Sequence, residues 1–353
     1  MTELTYKDAG VDQTRKDAFV DDVIKLMRRT YSDHVIDKPW GFGGLFRLGG
    51  QDTLFSKKHR DPVLVACADG VGTKLKIAFD ADRHDTVGID LVAMNVNDLI
   101  VQGAKPLFFL DYIAIGKTDE RMLGEVIKGI VRGCELAGCA LLGGETAEMP
   151  GFYKDGEYEL AGFAVGIVEQ SRMIDGSSIC VGDDVIAIAS SGLHSNGYSL
   201  ARKVLLEKAG LELRAQIPGM KETVEEELLK PTIIYARVIE QVLASYRVKR
   251  AVKGIANITG GGLIENIPRI LPPGCCVEIE PGSWPVPPVF EALERLGNIG
   301  KEEMYRVFNM GVGMVIVSDP FYSNAICRRI YDAGNAAYLI GRVRRGRREV
   351  VIG

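Results

Sequence analysis

Histidine is scarce in this chain, and the scarcity narrows its chemistry. The four histidines among 353 residues, His34, His59, His84 and His194, stand far apart in no zinc-ligand spacing. None of the seven cysteines belongs to a C-x-x-C pair, and an odd, scattered set indicates neither a disulfide framework nor a thiolate metal site. Reduced thiols in a cytoplasmic protein are the expectation. Charge of one sign is also lacking. A net charge of −4 gives no general attraction for nucleic acid or an anionic membrane, and the local RVRRGRR cluster reads as a solvated tail. No apolar run approaches the roughly 20 residues that span a bilayer, and the polar opening MTELTYKDAGVDQTRKD lacks the apolar stretch of a secretion signal.

What is present is an ordinary folded composition, 46% hydrophobic and 25% charged, in a chain too long for one comfortable core. Two domains are expected, residues 1–170 and 171–353, parted near the turn-forming SRMIDGSS. Residues 1–58 would hold a polar arm, a helix from about Asp17 to Tyr31 and the glycine-rich loop KPWGFGGLFRLGG. PVLVACA and PLFFLDYIAIG read as strands, the second with Leu107, Phe109, Asp111 and Ile113 on one face. A helix over about 120–136 carries Leu123, Val126, Ile127, Ile130 and Val131 as its apolar stripe. The second half restarts with DDVIAIASSG as strand into loop, YSLARKVLLEKAG and KPTIIYARVIEQVLASYR as helices, and GIANITGGG as strand into loop. Neither half alternates regularly as β-α-β-α, so the class is α+β.

The stretch DGVGTKLKIA has glycine, threonine and lysine like a phosphate loop, yet departs from the Walker order G-x-x-x-x-G-K-[ST] and opens on an acid, Asp69. On the helix read from GIDLVAMNVNDLIVQGA, Asp90 and Asn97 nearly eclipse each other opposite an apolar arc, with Asp98 about 80° away. A solvent-facing polar stripe is the ordinary reading of such a face, but no lysine or arginine is mixed into it. Asp111 sits inside an apolar strand, where an ionised carboxylate is costly unless paired or metal-bound. Glu145 follows the double glycine of LLGGETAEM. Hard oxygens from several elements suit Mg²⁺, which takes carboxylates together with substrate phosphates. In the second half SSGLHSNGYSL and NITGGGLIENIPRIL each join a strand to a helix with glycines and hydroxyls, a pattern fit for a phosphate ester as well as for a plain capped turn. His194 is the one histidine in such a loop.

On YKDAGVD, DGVGTKLKIA, HDTVGIDLVAMNVNDLIVQGAKPLFFLDY, LLGGETAEMPGFY, SSGLHSNGYSL, ITGGGLIENIPR and FNMGVGM, covering nearly the whole chain, the sequence resembles the phosphoribosylformylglycinamidine cyclo-ligases, or aminoimidazole ribonucleotide (AIR) synthetases. The resemblance implies an N-terminal ATP-binding α/β domain whose sheet pairs in a homodimer, with the active site at the interface, and a C-terminal α+β domain. It implies ATP and Mg²⁺, with K⁺ as a further candidate ion, and formylglycinamidine ribonucleotide as substrate. Phosphorylating the formyl oxygen turns a poor leaving group into a good one, and ring closure then releases phosphate. Carried over, metal binding falls to Asp69, Asp98 and Asp111. Nucleotide binding falls to Gly41, Phe42, Gly43, Gly44, Gly70, Gly72, Thr73, Lys74, Asn97, Gly143, Gly144 and Glu145 besides those acids. The ribonucleotide falls to Gly192, His194, Ser195, Asn196, Thr259, Gly260, Gly261 and Gly262. His194 is the expected general base with Glu145 in reserve, and Lys74 assists catalysis. Asn257 stands where the family usually has histidine. A non-catalytic ATP-binding relative would show nucleotide binding without turnover, and a superfamily kinase would leave a stable phosphorylated product.

Overall fold

The computed structural model describes residues 22–36, 45–47, 60–246 and 248–353. The expected helix near the N-terminus is helical over 22–28 and its first part lies outside the described residues, as do Gly41, Phe42, Gly43 and Gly44. Val35–Ile36 pairs antiparallel with Leu45–Phe46.

The first half is built on a four-stranded sheet of β1 (Pro62–Gly70), β2 (Lys105–Ile115), β3 (Ala140–Glu148) and β4 (Tyr158–Glu169), in the order β1-β4-β2-β3. Only the β2–β3 pair is parallel. The helix α1 (Leu75–Ala81) follows β1, α2 (Val87–Ile100) precedes β2, and α3 (Glu120–Ala137) provides the β2–β3 crossover. Asp119 caps α3 by accepting from the Met122 amide, and Gly138, at φ 71°, ends it. The stripe Leu123, Val126, Ile127, Ile130 and Val131 is buried as its spacing implies, each side chain contributing roughly 1.5–3 kcal/mol. A Cβ on Gly88 of α2 would collide with the backbone of Val126 and Ile130, so glycine there lets the two helices touch.

Helix α2 departs from the expected amphipathic picture. Val92, Ala93, Val96, Leu99 and Ile100 are buried, but so are Asp90 and Asn97, and Asp98 alone is exposed along it. The polar face lies against the second half of the chain.

That half centres on a six-stranded sheet of β5 (Asp184–Ala189), β6 (Val252–Asn257), β7 (Cys275–Ile279), β8 (Val312–Ser318), β9 (Ala337–Arg345) and β10 (Val350–Ile352), in the order β10-β7-β9-β5-β8-β6. Only β10 runs parallel to its neighbour. YSLARKVLLEKAG is α-helical over Tyr198–Arg202 and widens to a π-turn over Lys203–Lys208. KPTIIYARVIEQVLASYR is helical over Ala236–Ser245, and Lys230–Tyr235 forms a strap without regular secondary structure. Pro231 disfavours helix at the residue before it, and Thr232, Ile233 and Ile234 are β-branched. Two mixed, mainly antiparallel sheets with helices make the α+β class. Among the described residues no helix is long and apolar enough to cross a membrane.

Candidate functional site

The register of the first sheet lines up its chemistry. Asp69 of β1 pairs with Gly162 of β4, Gly162 with Asp111 of β2, and Asp111 with Gly144 of β3. Directly opposed residues share a face, so Asp69 and Asp111 lie in one row facing α2, with two glycines between and beside them. A Cβ on Gly162 would run into Asn95 and Phe109, and one on Gly144 into the Asp111 carboxylate. Gly144 of GGETAE therefore makes room for the acid. Burial pushes the Asp111 carboxyl up to about 7, against one stabilising hydrogen bond from its own amide.

Asp98 reaches the same region from α2. Although Asp98 is open to solvent at its edge, neighbouring protein desolvates its carboxyl and raises its pKa; the Asn257 hydrogen bond opposes the rise and the Asp69 charge adds to it. Cys67, on the Asp69 face of β1, is pushed up to about 11 by burial and by the charges of Asp98 and Asp69. Asn257 Nδ2, at the end of β6, donates to Asp98 Oδ1 at 2.7 Å, so the second half closes on this acid.

Among the described residues no three of His, Cys, Asp and Glu form a ready-made metal cluster. The row is thus not a closed protein cage. Its chemistry nevertheless fits a cation: burial holds Asp98 and Asp111 above their ordinary pKa, and a divalent ion would favour their ionised form.

Glu145 does not belong to that row. It pairs with Tyr112, one position along from Asp111–Gly144, and so points to the opposite face of the sheet. Its carboxylate is exposed and accepts from the Thr146 amide. This outer face also carries Leu64, Tyr112 and Phe163, which are 56%, 39% and 44% exposed.

Lys74 is likewise not where a phosphate ligand belongs. The turn through Gly70 and Gly72 leads into the short helix Gly72–Lys74, which sends the lysine inward. Its ammonium is fully buried, 2.7 Å from Asp90 Oδ2, and donates to the Lys230 carbonyl at 2.6 Å. Asn97 is similarly spent, donating to Ile233 O at 2.8 Å and accepting from Tyr235 N at 3.0 Å. Thr73 stays near the surface, its hydroxyl 3.2 Å from Ser199 Oγ.

The two glycine loops of the second half are brought together. Gly260 N donates to Asn196 Oδ1 at 2.9 Å, joining Thr259–Gly262 to Gly192–Asn196. His194 and Ser195 are both left-handed, at φ 55° and 59°, a strained pair held by its surroundings. His194 is buried, with Nε2 accepting from the amides of Ser191 at 3.0 Å and Ile233 at 3.3 Å. The proton of the neutral ring is therefore on Nδ1. Burial and then the Lys74 charge hold its pKa down to about 3. This corrects the expectation of a general base, because the lone pair such a base needs is already engaged.

Sequence reasoning missed Asp90, Thr232, Asn266 and Asn309 as organisers. Thr232 donates to Asp90 Oδ1 through both its amide, at 2.8 Å, and its hydroxyl, at 2.6 Å. Asn266 Nδ2 bonds the Gly260 and Gly262 carbonyls, and Asn309, within FNMGVGM, bonds Gly192 O and Ser190 Oγ. Asn266 acts within its own motif, whereas nothing in spacing alone tied Asn309 to a loop more than a hundred residues earlier.

Comparison with known proteins identifies the family. Residues 50–168 match the family model described as AIR synthase related protein, N-terminal domain, and residues 181–353 its C-terminal domain counterpart. The chain is 54% identical over 342 residues to the phosphoribosylformylglycinamidine cyclo-ligase of Citrifermentans bemidjiense, covering 97% of this chain and 95% of that one. It is 51% identical over 349 residues to the same enzyme of Caldanaerobacter subterraneus subsp. tengcongensis, covering 99% and 100%. Among solved structures, the thiamine-monophosphate kinase of Stenotrophomonas maltophilia superposes with a TM-score of 0.67 at 17% identity, over 95% of each chain. The hydrogenase maturation protein HypE in complex with ATP superposes at 0.65 and 16% identity, over 94% of this chain and 90% of that one. Fold and paired domains define an AIR synthase related protein. Within that class, the chain belongs to the phosphoribosylformylglycinamidine cyclo-ligase family.

Proposed function

We propose that this protein closes the imidazole ring of purine biosynthesis, converting formylglycinamidine ribonucleotide and ATP to 5-aminoimidazole ribonucleotide, ADP and phosphate. The observation that carries the reading is the meeting of the Asp69–Asp111 row and Asp98 with the second half through Asn257. It brings an acidic nucleotide site toward two joined loops suited to a sugar phosphate. Asp69, Asp98 and Asp111 would hold Mg²⁺, which would neutralise charge on the phosphates of ATP. Thr259–Gly262 and Gly192–Asn196 would hold the ribonucleotide phosphate through backbone amides and hydroxyls, and the neutral His194 orders the second of these loops. Catalysis is then largely positioning and charge stabilisation around the transferring phosphoryl group.

The uncovered apolar sheet face around Leu64, Tyr112 and Phe163 supports a homodimer closed through that face. Glu145 lies on this face, so it would reach substrate where a second copy covers it, and it is the carboxylate left to accept the ring nitrogen's proton. The seven free thiols suit a cytoplasmic enzyme. An Asp98→Asn variant tests the acid assignment. Its fold, followed by circular dichroism, should survive while turnover with Mg-ATP falls about a hundredfold or more, and full retention of turnover would sink the assignment.

A further inference from the structure

The buried pair Lys74–Asp90 has no place in the chemistry described above, and its surroundings give it another. Both side chains are completely buried, from two N-terminal elements, at the junction of the two halves. The hydrogen bonds that they make outside the first half end on the strap Lys230–Tyr235. Lys74 donates to the Lys230 carbonyl, Asp90 accepts twice from Thr232, and the Lys74 ammonium sits 5.7 Å from the centre of the Tyr198 ring. Two turns further along α2, Asn97 holds the strap at Ile233 and Tyr235.

The other side of the strap holds the loop Ser190–Asn196. Ser191 Oγ donates to the Pro231 carbonyl at 2.6 Å, Ile233 N donates to His194 Nε2, and Ser195 Oγ lies 3.4 Å from Thr232 Oγ1. The left-handed His194 and Ser195 are thus fixed from behind by a segment without regular secondary structure of its own. A strap without regular secondary structure needs outside partners for its polar backbone, and α2 with Lys74 supplies them. A buried ion pair is weak evidence for stability, since matched apolar residues often serve as well. Its geometry here specifies where the strap lies.

We infer that Lys74 and Asp90 are positioning residues: through the strap Lys230–Tyr235 they set the conformation of the loop Ser190–Asn196 that receives the ribonucleotide. They act on substrate binding without touching substrate. The inference rests on the cyclo-ligase reading for the identity of that substrate, but not for the link between clamp and loop.

The test compares two double variants. Lys74→Met with Asp90→Leu removes both charges and both acceptors in near-matched volume. Lys74→Met with Asp90→Asn also removes both charges but keeps an acceptor for Thr232. With the first, the amides of Ser190–Asn196 should exchange hydrogen about tenfold faster than in the unaltered protein. The KM for formylglycinamidine ribonucleotide should rise roughly 3- to 30-fold, the size of effect such networks carry, while the KM for Mg-ATP stays within about threefold. The asparagine variant should recover most of both effects. If the leucine variant fails to fold, Thr232→Val, which deletes a single hydroxyl, should give a smaller change of the same kind.

A folded leucine variant with unaltered loop exchange and unaltered ribonucleotide KM would overturn the inference. So would a parallel rise of both KM values, which is the mark of general loosening. If the unaltered protein makes no aminoimidazole product, the cyclo-ligase reading fails, and loop exchange alone still decides the role of the clamp.

Discussion

Asn257 Nδ2 donates to Asp98 Oδ1 at 2.7 Å across the junction of the two halves, joining residues 159 positions apart in sequence. The family resemblance leads one to expect histidine at 257, and an amide cannot titrate. It can, however, donate a hydrogen bond to a carboxylate, and that is the role it fills here. Asn257→Leu should cost the roughly 1.5–3 kcal/mol of a hydrogen bond to a charged group, read as a loss in kcat/KM for Mg-ATP. Asn257→His, whose ring N–H can donate, should restore most of it. Equal activity of the leucine and unaltered proteins would show that Asp98 needs no such partner.

Asp111 sets an expectation for stability against pH in protein freed of divalent metal. Its folded pKa of about 7 lies above the ordinary 3.8. The protonated acid therefore favours the folded state below about 4, and that contribution is lost as pH rises to about 7. The shift corresponds to an upper limit of roughly 4 kcal/mol. Thermal melts in chelator should show the unaltered protein losing stability over that window relative to Asp111→Asn. Mg²⁺ added at pH 8 should raise the melting temperature of the unaltered protein and leave that of the variant unmoved.

For His194 the sign is opposite. Its folded pKa, held down to about 3, lies below the ordinary 6.5, so its contribution is complete above about 6.5 and is lost as pH falls towards 3. His194→Gln, whose carbonyl oxygen can accept from Ser191 and Ile233, should lose stability less steeply on acidification. It should also keep more activity than His194→Ala. A kinetic pKa near neutrality that vanishes in the glutamine variant would restore the general-base role.

The outer sheet face makes a claim about assembly. Phe163→Asp puts a charge in the middle of the face that carries Leu64 and Tyr112. Sedimentation should find the unaltered protein as a dimer and the variant as a folded monomer with little activity. A variant that stays dimeric and active would place the interface elsewhere.

Much of this was legible in the sequence because it is local. The alternation in PLFFLDYIAIG put Asp111 on the face of Leu107, Phe109 and Ile113; the sheet keeps it with Phe109 and Ile113, opposite Gly162, while a register shift between Pro106 and Phe108 takes Leu107 out of the alternation. The stripe of α3 was likewise readable from spacing. What failed depended on distant chain. Asp90 and Asn97 resembled ligands on an open face because their partners lie some 140 residues later. Lys74 looked like a phosphate ligand until Asp90 was seen to hold it. Glu145 and Asp111 look like one cluster in the linear motifs, and only the strand register shows that they face opposite ways.

The most direct test of the central claim is stoichiometric. The protein is given Mg-ATP with and without formylglycinamidine ribonucleotide, while ADP and 5-aminoimidazole ribonucleotide are measured together. The account requires both products in a one-to-one ratio, and only when the ribonucleotide is present. ADP accompanied by a stable phosphorylated ribonucleotide, or ATP binding with no product at all, would contradict it.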